Sequence, residues 1–179
     1  MKRRAVFIDR DGVLVKAVQY GDYAHGPLAL ADFQLQHNIA EPVRMLRDAG
    51  FLTVLATNQP GIARGKLTWE TLHRMHEILQ ETAPLDAIEI CPHTDADACP
   101  CRKPKPGMLL HAAEKLAIDL ASSFFVGDTW RDVEAGLSAG VTPILLDWPY
   151  NRTLQVAHRV ASLADAAKFI LETHETPLE

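Results

Sequence analysis

The sequence contains no apolar run close to the ~20 residues that a membrane-spanning helix needs. It also lacks an excess of basic residues: 18 Lys and Arg stand against 23 Asp and Glu, for a formal net charge of −5. These two absences predict a protein without a membrane anchor and without a nucleic-acid partner. A few well-placed cations and a metal ion would therefore have to hold an anionic substrate.

Cysteine is scarce, and the three cysteines Cys91, Cys99 and Cys101 fall in one short stretch. An odd and clustered set argues against a disulfide framework of the kind found in secreted proteins. The basic residues at 2–4 precede an apolar stretch that is too short for a signal peptide. We therefore expect a cytoplasmic protein.

Internal repeats and low-complexity segments are also absent, and 179 residues with 47% hydrophobic content suffice for one domain with a proper core. Short apolar runs predict buried strands at 5–8, 51–56, 87–90, 123–126 and 141–146. Helical spacing, with Asn38 and Thr68 as N-caps, predicts helices at 39–49, 68–82, 106–116, 133–139 and 162–173. This alternation predicts a single α/β domain over residues 1–179, with a mostly parallel sheet and helices on both faces.

The first predicted strand ends at two carboxylates, Asp9 and Asp11, and Gly12 follows them. Side chains alternate along a strand, so both carboxylates leave its end on the same side and repel each other unless a cation lies between them. Magnesium takes oxygen ligands of this kind and keeps positions open for a substrate phosphate. The plain alternative is a strand followed by an acidic turn.

Two further predicted strands also end in polar residues, namely Thr57 and Asn58 in one case and Asp128 in the other. In open parallel sheets, ligands bind outside the carboxyl ends of the strands, where these side chains should meet the two aspartates. The stretch at 14–37 is predicted to be a loop or a small flap over this edge, because it is too short for a separate lid domain.

Four soft ligands, Cys91, His93, Cys99 and Cys101, lie within one loop. Three thiolates and one imidazole suit a tetrahedral Zn²⁺ site, and a closed set of four ligands indicates a structural ion. A group of unrelated free thiols is the alternative, since Cys99 and Cys101 are poorly placed for a relaxed disulfide. His73 and His76, three residues apart on a predicted helix, are interpreted as surface residues.

Taken together, these pieces resemble the haloacid dehalogenase (HAD) superfamily of phosphohydrolases. The resemblance lies in Asp9-x-Asp11-Gly12-Val13, Thr57, Lys103 and Gly127-Asp128-Thr129-x-x-Asp132, which occur in the family's order over most of the chain. The motifs at 58–65, 91–93 and 101–104 are similar to subfamily IIIA, the branch of the D,D-heptose 1,7-bisphosphate and histidinol-phosphate phosphatases. This resemblance implies a Rossmann-like three-layer α/β/α sandwich with a small zinc-binding loop and no large cap domain.

The resemblance assigns chemical roles to the acidic residues. Asp9 would be the nucleophile that forms an aspartyl-phosphate, and Asp11 the general acid for the leaving alkoxide and then the base for water. Asp9, Asp128 and the backbone carbonyl of Asp11 would bind Mg²⁺, which weakens the repulsion between carboxylate and phosphate. Asp132 would either orient this metal site or act only as an acid at a helix N-terminus, favoured by the dipole.

The resemblance also implies a set of substrate-binding residues. Thr57 and the backbone of Asn58 would hold the transferring phosphoryl group, and Lys103 would neutralise both this group and the nucleophile. Arg102 would grip the substrate with its planar guanidinium, and Arg64 is a further candidate. Each could instead be an ordinary strand-end residue or surface charge.

The implied function is Mg²⁺-dependent hydrolysis of a small sugar phosphate, with removal of the 7-phosphate from D-glycero-D-manno-heptose 1,7-bisphosphate preferred. The alternatives are a histidinol-phosphate or other small phosphomonoester phosphatase and, from a different class, a non-catalytic zinc-stabilised binding module. The segments at 20–33 and 147–152 match the heptose enzymes only loosely, and both should border the leaving group. We expect a monomer whose partner is its small phosphorylated substrate.

Overall fold

A computed structural model of the protein describes residues 2–20 and 23–175. The strands are β1 (Ala5–Ile8), β2 (Val18–Tyr20), β3 (Tyr23–His25), β4 (Leu52–Asn58), β5 (Ala87–Cys91), β6 (Phe124–Gly127), β7 (Thr142–Leu146) and β8 (Arg159–Val160). The α-helices are α1 (Ala40–Asp48), α2 (Trp69–Thr82), α3 (Gly107–Leu116), α4 (Trp130–Ala139) and α5 (Leu163–Glu175). None of the helices in this described part of the chain is long and apolar enough to cross a bilayer.

Six strands form one parallel sheet in the order β5-β4-β1-β6-β7-β8. The first strand lies in the middle, where Ile8 pairs with Leu55 on one side and with Val126 on the other. Chain order reverses at this strand, so a crevice opens at its carboxyl end. The predicted α/β fold with a parallel sheet is confirmed.

Alternate residues of β1 pack into two separate cores, which makes the fold three layers thick. Ile8 belongs to the core beneath α1 and α5, together with Leu46 and Ile170. Phe7 belongs to the core beneath α3 and α4, together with Leu109. All four residues of β1 are buried, as expected for a strand covered on both faces.

The structure corrects two predicted helix starts. Asn38 is not an N-cap: it adopts a left-handed φ of 54°, and Ile39 takes the capping position of α1. Helix α4 begins at Trp130 rather than at 133, because Thr129 and Asp132 form a capping box at its start. The predicted cap of α2 is confirmed, since the Thr68 side chain accepts a hydrogen bond from the backbone N–H of Thr71.

The stretch predicted as a loop or flap contains a two-stranded antiparallel hairpin, β2–β3. Residues 21 and 22, between these strands, lie outside the described residues. The two-residue strand β8 was not predicted, because so short a segment leaves no periodic signal. The hairpin is the structure's small flap.

Candidate active site

Three neighbouring strands bring polar residues to one edge of the sheet. Asp9 follows β1 directly, Asn58 ends β4, and Asp128 follows β6. A cavity of about 330 Å³ opens at this edge, and its wall includes Asp9, Asp11, Asn58, Arg102, Lys103, Asp128, Arg131 and Asp132. The structure therefore places most of the residues singled out from the sequence around one space.

Lys103 joins two of the buried carboxylates. Its Nζ lies 2.7 Å from Oδ1 of Asp9 and 2.6 Å from Oδ1 of Asp132, and it also donates to the backbone carbonyl of Ala56 at 2.9 Å. Burial alone would lower the pKa of this lysine, but the charges of Asp132 and Asp9 outweigh it and raise the pKa. The ammonium group is thus permanently charged and fixed beside Asp9.

The single positive charge of Lys103 cannot balance the three carboxylates of Asp9, Asp128 and Asp132. Burial raises the pKa of Asp9 to about 7 and raises that of Asp128 well above its ordinary value. Oδ1 of Asp128 is buried and has no hydrogen-bond partner among the described residues. Carboxylate oxygens of Asp9, Asp128 and Asp132 lie within 4.8 Å of one another. A small divalent cation with oxygen ligands fits this set.

Gly12 allows the acidic loop after β1 to approach Asp128. Its φ is +87°, and a Cβ at this position would lie 2.1 Å from Oδ2 of Asp128. The indole Nε1 of Trp148 donates to the Gly12 carbonyl at 3.0 Å. A residue with a side chain could occupy this position only if Asp128 moved.

Asp11 is held by residues that the sequence did not reveal. Arg10 is fully buried and donates from Nε and Nη2 to the two carboxylate oxygens, at 3.0 and 3.1 Å. Gln59 donates to Oδ2 of Asp11 at 2.9 Å. Strand alternation could have indicated the burial of Arg10, since it lies between two aspartates that share one side and must therefore point to the other.

The prediction that His76 is a surface residue is wrong, because its side chain is buried and only 4% exposed. Its Nε2 lies 3.4 Å from Nη1 of Arg10. The position could have been found from the sequence, because His76 follows Leu72 by four residues and therefore shares the buried face of α2. His73 is exposed, as expected.

The two residues predicted to bind the phosphoryl group, Thr57 and Asn58, lie in different environments. Thr57 is fully buried, and its hydroxyl accepts a hydrogen bond from Gln59 at 2.8 Å. Asn58 lines the cavity, while its side-chain amide donates to the carbonyl and accepts from the N–H of Lys103, both at 3.1 Å. The Asn58 side chain therefore fixes the backbone that carries the lysine.

The two predicted substrate arginines lie in different surroundings. Arg102 borders the cavity, but its guanidinium donates to Asp95 at 2.8 Å and to the backbone carbonyl of His93 at 3.1 Å. Arg64 is exposed and is not part of the cavity wall. The hydrogen bond from Arg102 lowers the pKa of Asp95, and the charges of Arg131 and Arg64 contribute in the same direction.

Asp132 lies at the N-terminus of α4, as one of its two interpretations expects, and it also contacts Lys103. Its Oδ2 accepts from the N–H and the hydroxyl of Thr129, at 2.9 and 2.7 Å, and so caps α4. Its Oδ1 binds Lys103. A Cβ on Gly127 would lie 2.2 Å from the Cβ of Asp132, so this glycine lets the helix start close to the site.

Both segments that match the heptose enzymes loosely border the cavity. His25 and Gly26 line it from the hairpin side, and a Cβ on Gly26 would lie 2.5 Å from Oδ2 of Asp11. Tyr150 lines it from the other side, and its hydroxyl donates to Oδ2 of Asp128. Asn151 donates to the backbone carbonyl of Asp128 at 2.7 Å and holds this segment in place.

The four soft ligands converge in the loop between β5 and α3. Cys91 Sγ lies 3.6 Å from both His93 Nδ1 and Cys99 Sγ, and Cys101 Sγ lies 3.4 Å from both of these atoms. These lengths match the edges of a tetrahedron around zinc, about 3.3–3.8 Å for bonds of about 2.0–2.3 Å. Burial raises the pKa of the Cys91 thiol, so a thiolate there needs a cation. The cluster fits one closed Zn²⁺ site.

Buried carboxylates grouped around one lysine, at the reversal point of a doubly wound parallel sheet, suit phosphoryl transfer to an acidic nucleophile. Together with the motifs at 9–13, 103 and 127–132, they match the class of HAD-type phosphohydrolases that the sequence resembles.

Comparison with known proteins supports this class and narrows it. A family model described as "HAD-hyrolase-like" matches residues 100–166. The D-glycero-beta-D-manno-heptose-1,7-bisphosphate 7-phosphatase of Vibrio cholerae is 40% identical over 159 residues, which is 82% of this chain and 82% of that protein. The protein of the same name from Yersinia pestis is 39% identical over 149 residues, or 76% of each. The D-glycero-alpha-D-manno-heptose-1,7-bisphosphate 7-phosphatase of Campylobacter jejuni is 35% identical over 151 residues, or 82% of this chain and 83% of that protein.

A solved structure agrees with the sequence relatives. The crystal structure of D,D-heptose 1,7-bisphosphate phosphatase from B. bronchiseptica, complexed with magnesium and phosphate, has a TM-score of 0.83 and 30% identity, covering 95% of this chain and 99% of that chain. The chain therefore belongs to the heptose bisphosphate phosphatase family of the HAD superfamily. It is a phosphatase that hydrolyses phosphoric monoesters.

Proposed function

We propose that this phosphatase removes the 7-phosphate from D-glycero-D-manno-heptose 1,7-bisphosphate in carbohydrate metabolism. This choice of substrate is supported by relatives that are named for the beta anomer and for the alpha anomer of this bisphosphate. The observation that carries the chemistry is the single cavity in which Asp9 meets Lys103 and Asp128, with the lysine Nζ 2.7 Å from the nucleophile. Because relatives of this chain carry both anomeric names, the substrate test below includes both anomers.

The first proposed step is attack of an Asp9 carboxylate oxygen on the phosphorus of the substrate. An O–P bond forms to Asp9 while the bond to the sugar oxygen breaks, which gives an aspartyl-phosphate. Asp11 transfers its proton to the departing sugar alkoxide. Lys103 offsets the charge of Asp9 and of the phosphoryl oxygens throughout this step.

The second proposed step returns the enzyme to its starting form. Asp11, now a carboxylate, takes a proton from water, and the resulting hydroxide attacks phosphorus and releases Asp9 and inorganic phosphate. Arg10 and Gln59 hold Asp11 by three hydrogen bonds, so its carboxylate keeps one orientation during both proton transfers. Thr57 and the backbone of Asn58 are proposed to bind the transferring group.

Two metal ions belong to this proposal. Asp9, Asp128 and the backbone carbonyl of Asp11 would hold Mg²⁺, which when bound reduces the repulsion between the nucleophile and the phosphate. Cys91, His93, Cys99 and Cys101 would hold a structural Zn²⁺, which supplies folding energy to the loop. The orphaned oxygen of Asp128 supports the first ion, and the tetrahedral edge lengths support the second.

The test of the chemistry compares the wild type with Asp9→Asn, using p-nitrophenyl phosphate and Mg²⁺. We expect the variant to lose at least about 1,000-fold in kcat, because an amide cannot form the phospho-enzyme. Equal rates would instead favour a non-catalytic zinc-stabilised binding module. Circular dichroism of both proteins controls for folding.

The substrate is tested with a panel ranked by kcat/KM. It contains the two anomers of the heptose bisphosphate, other sugar phosphates and histidinol phosphate. We expect one heptose bisphosphate anomer to rank first; a higher value for histidinol phosphate would contradict the proposal. The single-domain organisation over residues 1–179, the monomeric state and the cytoplasmic location also stay proposals. Sedimentation of the purified protein tests the monomer against its mass of 19.8 kDa.

A further inference from the structure

Arg131 presents an unpaired nitrogen at the wall of the catalytic cavity. Its Nε is buried and has no hydrogen-bond partner in the described part of the chain. Buried donors are almost always paired in folded proteins, so an exception needs a physical explanation. An anionic ligand that enters the cavity would supply the missing acceptor.

The other two Lys and Arg side chains of the cavity wall are already engaged. Lys103 is bound between Asp9 and Asp132, and Arg102 is bound to Asp95 and to a backbone carbonyl. Neither an ion pair nor a hydrogen bond is found for Arg131 among the described residues. Of these three cations, Arg131 is therefore the one whose donors remain available to a ligand.

The backbone and the side chain of Arg131 are both held in position. The residue lies in the first turn of α4, which the capping box of Thr129 and Asp132 fixes next to the site. Its guanidinium carbon lies 5.0 Å from the ring centroid of Trp130, a cation–π arrangement. A guanidinium that is already ordered loses little entropy when it binds a ligand.

We propose that Arg131 forms an anion subsite for the second phosphate group of a sugar bisphosphate, the group that is not hydrolysed. The inference rests on the sugar bisphosphate function proposed above. Lys103 already contacts the nucleophile, whereas no bond joins Arg131 to Asp9 or Asp11 among the described residues. Arg131 thus serves a different part of the ligand, and its planar guanidinium can donate two parallel N–H bonds to phosphate oxygens.

The test compares heptose 1,7-bisphosphate with heptose 7-phosphate, since both carry the cleaved group and only the first carries the other. Arg131→Gln should lower kcat/KM for the bisphosphate by about 10- to 100-fold, mainly through KM, and leave the monophosphate within about twofold. Arg131→Lys should recover part of the loss, because it keeps the charge without the paired donors. Arg44→Gln on the exposed face of α1 removes an equal charge and should leave kcat/KM unchanged for both substrates.

Inhibition by inorganic phosphate distinguishes whether Arg131 contacts the transferring phosphate or the second phosphate of the bisphosphate. Its inhibition of monophosphate hydrolysis should be equal in the wild type and in Arg131→Gln. Weaker inhibition in the variant would mean that Arg131 binds the transferring phosphate, and the proposal would be overturned.

The two proposals fail in different ways. If the wild type prefers the bisphosphate and Arg131→Gln keeps that preference, the subsite is wrong and the proposed substrate stands. If the wild type hydrolyses both sugar phosphates equally well, the bisphosphate specificity is wrong and the subsite falls with it.

Discussion

The carboxylate of Asp11 receives its hydrogen bonds from Arg10 and Gln59, and Arg10 is in turn contacted by His76. Arginine can only donate, so Nε2 of His76 must be the unprotonated acceptor in this contact. The histidine is therefore neutral in the folded protein. At the scale of single residues, His76 is a positioning residue that reaches Asp11 through Arg10.

This neutral histidine predicts a pH dependence of stability. Burial, followed by the charges of Arg10 and His73, lowers the pKa of His76 from 6.5 to about 3. The unfolded chain then binds more protons than the folded one between these values, so the free energy of unfolding falls as the pH drops below 6.5. Relative to His76→Gln, the wild type should lose about 2 kcal/mol between pH 7 and pH 5.

Urea unfolding of the two proteins at several pH values measures this difference. His37→Gln, at an exposed histidine that takes no part in this contact, is the control and should follow the wild type. Parallel pH profiles for the wild type and His76→Gln would show that folding does not lower the pKa of His76, which would contradict the prediction.

A second prediction concerns two glycines that both have a positive φ. Gly12 and Gly50 have φ values of +87° and +83°, but a Cβ at Gly50 would meet nothing within 4 Å. Gly50→Ala should therefore lower the free energy of unfolding by about 1 kcal/mol through strain alone and leave activity unchanged. Gly12→Ala should also displace Asp128 and lower kcat/KM by at least about 100-fold.

Hydrolysis of p-nitrophenyl phosphate and urea unfolding report the two effects separately. Full activity in Gly12→Ala would show that the loop and Asp128 can separate without harm to the site.

At the scale of elements, the loop between β5 and α3 has the largest role in assembling the site. It carries the soft ligands, then Arg102 and Lys103, and then the start of α3. Asn58 at the end of β4 binds the backbone of Lys103 in both directions. The Cys91, His93, Cys99 and Cys101 cluster on one side and Asn58 on the other thus position the lysine.

This arrangement predicts that zinc supports catalysis without touching the substrate. Cys101→Ser should lose bound zinc, measured by atomic absorption, and should lower kcat/KM by about 10- to 100-fold as Arg102 and Lys103 lose their support. Thr94→Val removes a capping hydroxyl from the same loop but keeps all four ligands, so it should retain zinc and most activity. Zinc loss with unchanged turnover and substrate affinity would refute this role.

At the scale of the whole molecule, one sheet separates two cores that share β1. Leu46 lies in the core on the α1 and α5 side, and Leu109 lies in the core on the α3 and α4 side; both are fully buried. Because successive residues of β1 enter opposite cores, neither layer can unfold and leave the other intact. The chain should therefore unfold as one cooperative unit.

Leu46→Ala and Leu109→Ala test this prediction from both faces. Each should lower the free energy of unfolding by about 2–5 kcal/mol, the usual range for a buried leucine. Unfolding followed by circular dichroism and by tryptophan fluorescence should give one coincident transition for each variant. Separate transitions would indicate two units in place of the proposed single domain.

The sequence by itself determined the order and type of the main elements and the residues most suited to phosphoryl transfer. Apolar runs that stop at Asp9, Asn58 and Asp128 are local signals, and so is the close spacing of the cysteines. The short hairpin strands and β8 were not predicted from the sequence, because a strand of two or three residues shows no detectable periodicity.

Only the tertiary structure decided which partners each side chain has. Lys103 lies between Asp9 and Asp132, and Arg10 turns back onto Asp11. Within residues 2–20 and 23–175, the buried Nε of Arg131 has no hydrogen-bond partner. Such contacts join residues far apart in the chain or depend on a rotamer, and neither is encoded in local periodicity. Hydrophobic patterning specifies the layers, whereas the charge balance of the site arises only when the layers have packed.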